Sequence, residues 1–155
     1  MNAPHYNRPG RLETLLMTRP VTWLAHRGLA PFGAGALAVR GRKSGLVRVT
    51  AVNPLSHGGD RYLVAARGQT EWVRNLRAAD GEGELRHGRR VEPFTAAELP
   101  DPEKPAVLRA YLARWGWEVG RFFDGATATS DDAELLRAAA RHPVFRLSPR
   151  APRRA

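Results

Sequence analysis

The fold is decided by residues 36–52, which read ALAVRGRKSGLVRVTAV. Apolar residues alternate with other residues on both sides of a central glycine-rich segment, residues 41–45. The alternating apolar residues are Leu37, Val39, Val47, Val49 and Ala51. Alternation with period two is typical of a half-buried strand, and glycines between two such runs are typical of a tight turn. This stretch therefore predicts a β-hairpin with a basic tip.

The tip of this hairpin combines cations with accessible backbone amides. Arg42 and Lys43 lie between Gly41 and Gly45, and Arg48 follows three residues later. Backbone N–H groups together with fixed cations favour phosphate groups. Lys43 is one of only two lysines among 25 basic residues, which indicates a compact point charge at this position. We interpret the tip as a phosphate cradle, and an ordinary charged surface turn is the alternative.

The chain continues the β-rich pattern beyond the hairpin. Residues 53–60 contain Asn-Pro and Gly-Gly steps and are interpreted as turns. Tyr62 to Ala66 is an uninterrupted apolar run, which predicts a third strand buried on both faces. After it we expect, in order, a helix over 71–79 capped by Thr70, a hairpin over 84–94, helices over 104–115 and 131–141, and a closing strand over 144–147. This order of elements predicts a mixed antiparallel barrel with helical covers.

Length and composition fit one globular domain. The chain has 155 residues, of which 43% are hydrophobic and 26% charged. We place the domain at residues 1–149, including an N-terminal helical segment over 11–17 and 21–27, and expect a disordered basic tail at 150–155. The amphipathic N-terminal segment is interpreted as a cover for one end of the barrel, with peripheral membrane contact as the alternative. No run approaches the ~20 apolar residues of a membrane span, so we expect a cytoplasmic protein.

Charge and residue types restrict the partners. The absence of cysteine excludes disulfides, thiolate catalysis and cysteine-based metal sites, and the five histidines are scattered without metal-ligand spacing, so no metal is predicted. A net charge of +10 favours an anionic partner: nucleic acid, a membrane surface or a phosphorylated small molecule. Nucleic-acid binding is not expected, because the strands over 36–52 and 61–66 offer only Tyr62 for base stacking.

Four segments together resemble the deazaflavin-dependent nitroreductase family, which includes F420H2-dependent nitroreductases and quinone reductases. They are the Gly-Arg-Lys-Ser-Gly element with Arg48, the run Tyr62 to Ala66 with Gly68, the segment Trp72 to Ala78, and the segment Pro143 to Pro149. The four occur in the order of the family and cover most of residues 36–149. The resemblance implies a mainly β fold, a split β-barrel of the flavin- and deazaflavin-binding type with helical covers.

The same resemblance implies coenzyme F420 as the cofactor, with FMN as the alternative. Its phosphate and glutamyl tail is expected at Arg42, Lys43, Ser44, Gly45 and Arg48. Its ring system is expected to approach Ala65, Ala66, Arg67 and Gly68, with Trp72 and Asn75 beside the cofactor. The implied reaction is hydride transfer from the reduced deazaflavin to a small aromatic, quinone or nitro acceptor, for which the protein supplies position and electrostatics.

Aromatic residues late in the chain are the candidates for acceptor binding. We take Trp115, Trp117, Phe122 and Phe123 as substrate-binding residues. Tyr111 is the candidate catalytic proton donor, with water as the alternative. Because Gly116 and Gly120 flank the segment, residues 117–123 are predicted to form a loop or lid. Core packing is the alternative for Tyr111 and Trp115, which lie at helical spacing.

Three functions are carried forward from the sequence. The first is an F420-dependent oxidoreductase, and the second is an FMN-binding oxidoreductase of the same barrel type. The third is a non-catalytic basic barrel that binds a flavin, a lipid or nucleic acid. A homodimer is expected from the fold type rather than from particular residues.

Overall fold

Seven antiparallel strands and three helices make up residues 35–151, the part of the chain that the computed structural model describes. The strands are β1 (Gly35–Arg40), β2 (Val47–Val52), β3 (Leu55–His57), β4 (Asp60–Val64), β5 (Glu82–His87), β6 (Arg90–Glu98) and β7 (Val144–Pro149). The helices are α1 (Glu71–Ala78), α2 (Lys104–Val119) and α3 (Asp132–Ala139), with short 3-10 turns at Asp101–Glu103 and Gly120–Phe122. The predicted helical pieces over 11–17 and 21–27, their suggested membrane contact and residues 152–155 lie outside the described range.

The sheet curls into a barrel that stays split at one seam. Its strand order is β2-β1-β5-β6-β7-β4-β3, so its two edge strands are neighbours in the sequence. Only Asn53 and Pro54 join β2 to β3, and three Cα–Cα steps span at most about 11 Å. The two edges must therefore come close together. Pro54 has no N–H to donate across the seam. The predicted split β-barrel is confirmed.

The strands bury residues on both faces of the curved sheet. Inside the barrel, Leu63 of β4 packs in one cluster with Leu37 and Leu85. Its neighbours Tyr62 and Val64 face outward and pack in a second cluster under α2 and α3. Because side chains alternate along a strand, a continuous apolar run is needed when both faces are covered. The expectation that this strand is buried on both faces is confirmed.

Helix α2 extends through residues that the sequence assigned to a loop or lid, so that prediction was wrong. The helix ends at Val119, and the chain then makes a single 3-10 turn. Buried Trp115 and Val119 continue the spacing of buried Leu108 and Leu112. Packing of this apolar stripe keeps the chain helical through Gly116. That packing outweighs the cost of about 1 kcal/mol for a glycine in a helix. No helix among residues 35–151 has the length and apolar character needed to cross a membrane.

Candidate functional site

Glycine allows the hairpin tip between β1 and β2 to bring two of its polar side chains together. The Gly41 N–H donates to the Leu46 carbonyl at 2.8 Å, and the Gly45 N–H donates to the Gly41 carbonyl at 2.9 Å. A Cβ on Gly41 would lie 2.9 Å from Ser44 Oγ and 3.4 Å from Arg48 Cγ. The side chains of Ser44 and Arg48 therefore converge beside Gly41, where no larger residue fits without a shift.

Arg42 docks the hairpin tip onto α1. Its backbone N–H donates to Asn75 Oδ1 at 3.2 Å, and its Nη1 donates to the same oxygen at 2.8 Å. Nη1 also lies 2.8 Å from Glu71 Oε2. The hydrogen bond from Arg42 is the main cause that holds the pKa of the Glu71 carboxyl below its usual value. These contacts join the Gly-Arg-Lys-Ser-Gly element to the segment Trp72 to Ala78. Both are among the four segments that carry the family resemblance.

The docking of Arg42 leaves two cations of the tip for a ligand. Within residues 35–151, Lys43 and Arg48 form no ion pair, and both are exposed. Lys43 directly follows Arg42, and its charge adds a smaller contribution to the lowered pKa of the Glu71 carboxyl. Arg48 is paired with Val39, whose side chain points into the barrel. Directly opposite residues share a face of the sheet, so Arg48 lies on the inner face of the hairpin. Two charges without partners favour an anion with more than one charged group.

The loop between β4 and α1 is held from both sides of Ala65. The Ala65 N–H donates to the Pro143 carbonyl at 2.8 Å, and its carbonyl accepts the Gly68 N–H at 3.0 Å. His142 Nδ1 lies 3.2 Å from the same carbonyl, so Nδ1 carries the proton, since a carbonyl can only accept. Buried His142 also stacks on Phe123, with ring centroids 4.0 Å apart. Sequence reasoning missed this role of His142, and its place just before the closing strand was the available signal.

A buried hydroxyl lies at the start of α1, directly after this loop. Thr70 occupies the predicted N-cap position, but its side chain makes no capping bond. Its Oγ1 is buried and has no partner among the described residues. Trp72, two residues later, packs on the barrel interior with its ring 5.9 Å from that of Phe145. An unpartnered buried hydroxyl is costly, which favours a ligand group or a water molecule at this point.

The donor set fits a flat ring with a polyanionic tail, the shape and charge of F420. The hairpin tip supplies Lys43, Arg48 and the Ser44 hydroxyl, and α1 supplies the edge formed by Thr70 and Trp72. The loop over 65–68 lies just before Thr70 in the chain. Cations matched to phosphate and carboxylate groups are the chemistry that such a tail requires.

The predicted acceptor residues and Tyr111 do not lie together in the structure. Tyr111, Trp115 and Phe123 are buried in the cluster beneath α2 and α3, while Trp117 is 66% exposed on α2. Phe122 packs against the same cluster, and the guanidinium carbon of Arg67, in the predicted ring loop, lies 4.7 Å from its ring centroid. Arg121 lies at the same distance from that ring. The structure therefore brings Phe122 to the candidate site.

A groove of about 600 Å³ lies elsewhere, between β3 and α2. Its lining includes Arg61, Arg114 and Trp115. It shares no residue with the hairpin tip, the loop over 65–68 or α1. Trp115 thus borders a space separate from the proposed cofactor residues.

The position of Tyr111 favours packing over proton donation. The side chain is 2% exposed. Burial is the main cause that raises the pKa of Tyr111 far above its usual value, and the nearby Glu118 carboxylate adds to the rise. A hydrogen bond with Asn53 acts in the opposite direction. The hydroxyl therefore stays protonated within the buried cluster beneath α2 and α3.

We expect Tyr111→Phe to leave turnover and its pH profile unchanged, because water then supplies the proton. Stability should change by no more than about 1 kcal/mol, because only one buried hydroxyl is removed and the ring stays in place. Steady-state rates from pH 5 to 10, with a denaturant melt on the same samples, measure both effects. A rate loss of about 100-fold or more at unchanged stability would instead identify Tyr111 as the general acid.

Comparisons with known proteins identify the family and the fold. A sequence model of the F420H(2)-dependent quinone reductase family matches residues 30–117, more than half of the chain, including the hairpin tip, the loop and α1. No curated protein matches the chain.

Solved structures show the same fold at low identity. A protein described as a domain-swapped dimer aligns with a TM-score of 0.54 and 19% identity, over 75% of this chain and 80% of its own. The F420-H2 dependent reductase FDR-A aligns with a TM-score of 0.53 and 19% identity, over 75% and 94%. A protein of unknown function from Agrobacterium tumefaciens aligns with a TM-score of 0.54 and 21% identity, over 95% and 59%. With the fold given by these likenesses and the motifs by the sequence match, the chain belongs to the F420H2-dependent quinone reductase family and is an F420-dependent oxidoreductase.

Proposed function

We propose that the chain binds F420H2 along the hairpin tip, the loop over 65–68 and the start of α1, and reduces a flat quinone-like or nitroaromatic acceptor there. The observation that carries the proposal is the docking of Arg42 on Asn75 and Glu71. It holds the tip in place while Lys43 and Arg48 stay available for an anion.

Each part of the site has a separate role in this proposal. Lys43, Arg48 and the Ser44 hydroxyl, with the backbone of Gly45, hold the anionic tail. The backbone over 65–68 and the Trp72 ring border the deazaflavin ring, which supplies a hydride when it is bound in its reduced form. Position and exclusion of water are the contributions of the protein.

Phe122 is proposed as the wall against which the acceptor lies. Its ring has Arg67 and Arg121 over it, so an electron-poor or anionic acceptor would meet an aromatic surface flanked by two cations. No buried acid is needed in this arrangement, and the accompanying proton comes from water.

The cofactor assignment is tested by titrating the purified protein with F420 and, in parallel, with FMN, each followed by fluorescence. F420 should bind more tightly, because its tail carries more negative charge than the single phosphate of FMN. Its affinity should fall as salt rises from low ionic strength, since the tip is exposed to solvent. Tighter binding of FMN, or an F420 affinity that does not respond to salt, would contradict the proposal.

We also propose that the chain forms a homodimer. One structural relative is described as a domain-swapped dimer. Here Val47 and Val91 are 57% and 48% exposed, and their register with β1 and β5 places both on the outer face of the sheet. In the proposed dimer both side chains are removed from water, which favours association.

Sedimentation analysis should show a dimer for the wild type and a shift toward monomer for Val47→Asp and Val91→Asp. The matched control is Leu136→Asp, since Leu136 is 44% exposed but lies on α3. A monomeric wild type, or dissociation caused by the Leu136 change alone, would contradict the proposed interface.

A further inference from the structure

We propose that Asn75 is a positioning residue: it holds the hairpin tip in its cofactor-binding geometry through Arg42 and does not recognise the cofactor itself. This inference rests on the proposed function of the tip. The resemblance to the family implied only that Asn75 lies beside the cofactor. The two roles would use opposite ends of the Asn75 amide.

The oxygen of the Asn75 amide is fully used inside the protein. Oδ1 accepts the backbone N–H of Arg42 at 3.2 Å and Nη1 of the same residue at 2.8 Å. An amide oxygen has two lone pairs, so both are occupied. Asn75 is 6% exposed, which makes loss of these bonds costly.

A direct role would have to use the opposite end of the same amide. The phosphate and carboxylate groups of a polyanionic tail are acceptors, so only the Nδ2 hydrogens of Asn75 could recognise them. Positioning therefore depends on Oδ1, and direct recognition depends on Nδ2. A substitution that keeps the acceptor and removes the donor distinguishes the two roles.

The bond to the Arg42 backbone controls the next residues of the tip. Arg42 directly precedes Lys43, and the tip itself is exposed beyond it. Glu71 also holds the Arg42 side chain, but its carboxylate is 59% exposed, and exposed ion pairs contribute little. Without Asn75 the tip would have to be ordered at the moment of binding, which lowers affinity.

The experiment compares Asn75→Asp with Asn75→Ala in two measurements. The first is hydrogen exchange of the amides of residues 42–45 in the protein without cofactor, and the second is F420 affinity by fluorescence titration. Asn75→Ala should speed exchange at the tip and weaken F420 binding about 10- to 100-fold. Asn75→Asp keeps an acceptor for Arg42, so exchange at the tip should stay close to wild type. F420 affinity, measured at high salt to screen the added charge, should fall much less than in Asn75→Ala.

Arg42→Ala tests the same contact from the other side and covers the case in which Asn75→Ala does not fold. It removes the side-chain bond to Oδ1 and keeps the backbone one, so it should speed exchange at residues 43–45 less than Asn75→Ala does. The double variant should exchange about as fast as Asn75→Ala alone, because that change already removes both bonds. Glu71→Gln is the matched control on the same helix and should change exchange much less.

The inference is overturned if, at high salt, Asn75→Asp loses F420 as severely as Asn75→Ala while its tip exchanges like wild type, since Nδ2 would then be the recognising group. Unchanged exchange in both Asn75→Ala and Arg42→Ala would overturn it as well. The exchange measurement needs no cofactor. If the wild-type protein fails to bind F420 but shows the expected exchange pattern, the proposed function is refuted and the positioning role of Asn75 is not.

Discussion

Replacing Lys43 by alanine is expected to weaken F420 binding about 10- to 100-fold, because one charge-assisted contact worth about 1.5–3 kcal/mol is removed. The structure supports this expectation, since Lys43 is exposed on the hairpin tip and forms no ion pair within residues 35–151. Folding stability should change by less than about 0.5 kcal/mol, as for other exposed side chains. Fluorescence titration at low and high salt, with a thermal melt, measures both quantities.

Arg48→Ala should weaken binding in the same direction, and the double variant should lose less than the sum, because both cations face one polyanion. Arg89→Ala is the matched control for net charge. Arg89 is exposed in the turn between β5 and β6, and the pairing of Ala36 with Arg86 places that turn at the opposite end of β1 from the tip. Wild-type affinity in Lys43→Ala would contradict a role of Lys43 in holding the anion, and an equal loss in Arg89→Ala would show that only the overall charge matters.

Gly81→Ala is expected to reduce the free energy of unfolding by about 2–5 kcal/mol. Gly81 has a φ of +80°, where a non-glycine residue costs about 1–2 kcal/mol. A Cβ there would also lie 2.2 Å from the Ala96 carbonyl oxygen, and overpacking of this kind adds about 1–3 kcal/mol. The clash is with backbone, because Gly81 accepts the Ala96 N–H at 2.8 Å where the chain passes from α1 into β5. Chemical denaturation measures the loss.

The matched control for this prediction is Gly125→Ala. Gly125 has a φ of +89°, and nothing lies within 4 Å of the position that its Cβ would take. It therefore reports backbone strain without the clash and should lose only about 1–2 kcal/mol. Equal losses in the two variants would mean that β6 moves away from Gly81 without cost.

Most strands could be predicted because their signals are local. The hairpin of β1 and β2 and the strand β7 follow from alternation and turn residues, and the structure places them within a few residues of the predicted bounds. β3 was missed, since three residues, Leu55–His57, are too few to show a period and lie among turn-forming residues. Its strand character comes from pairing with β4.

The site was predictable in its charges and motifs but not in its contacts. The cations of the tip can be read from the sequence, and the family resemblance names the other residues. The contact of Arg42 with Asn75 joins residues 33 positions apart, and no local pattern reports such a pair. The acceptor residues were the least predictable, because an aromatic at helical spacing looks the same whether it fills a core, as Trp115 does, or borders a loop, as Phe122 does.

By itself, the sequence determined the β-rich fold, the basic tip and membership in a family that uses F420H2, because periodicity, charge and short motifs are properties of neighbouring residues. The tertiary structure alone decided which cations stay available and which aromatics reach the site. Arg42 is occupied by Glu71 and Asn75, while Lys43 is not paired within the described residues, although the two are adjacent in the chain. The reason is physical: a side chain is occupied or available according to what folding brings against it, and the curling of the sheet brings α1 against the hairpin tip.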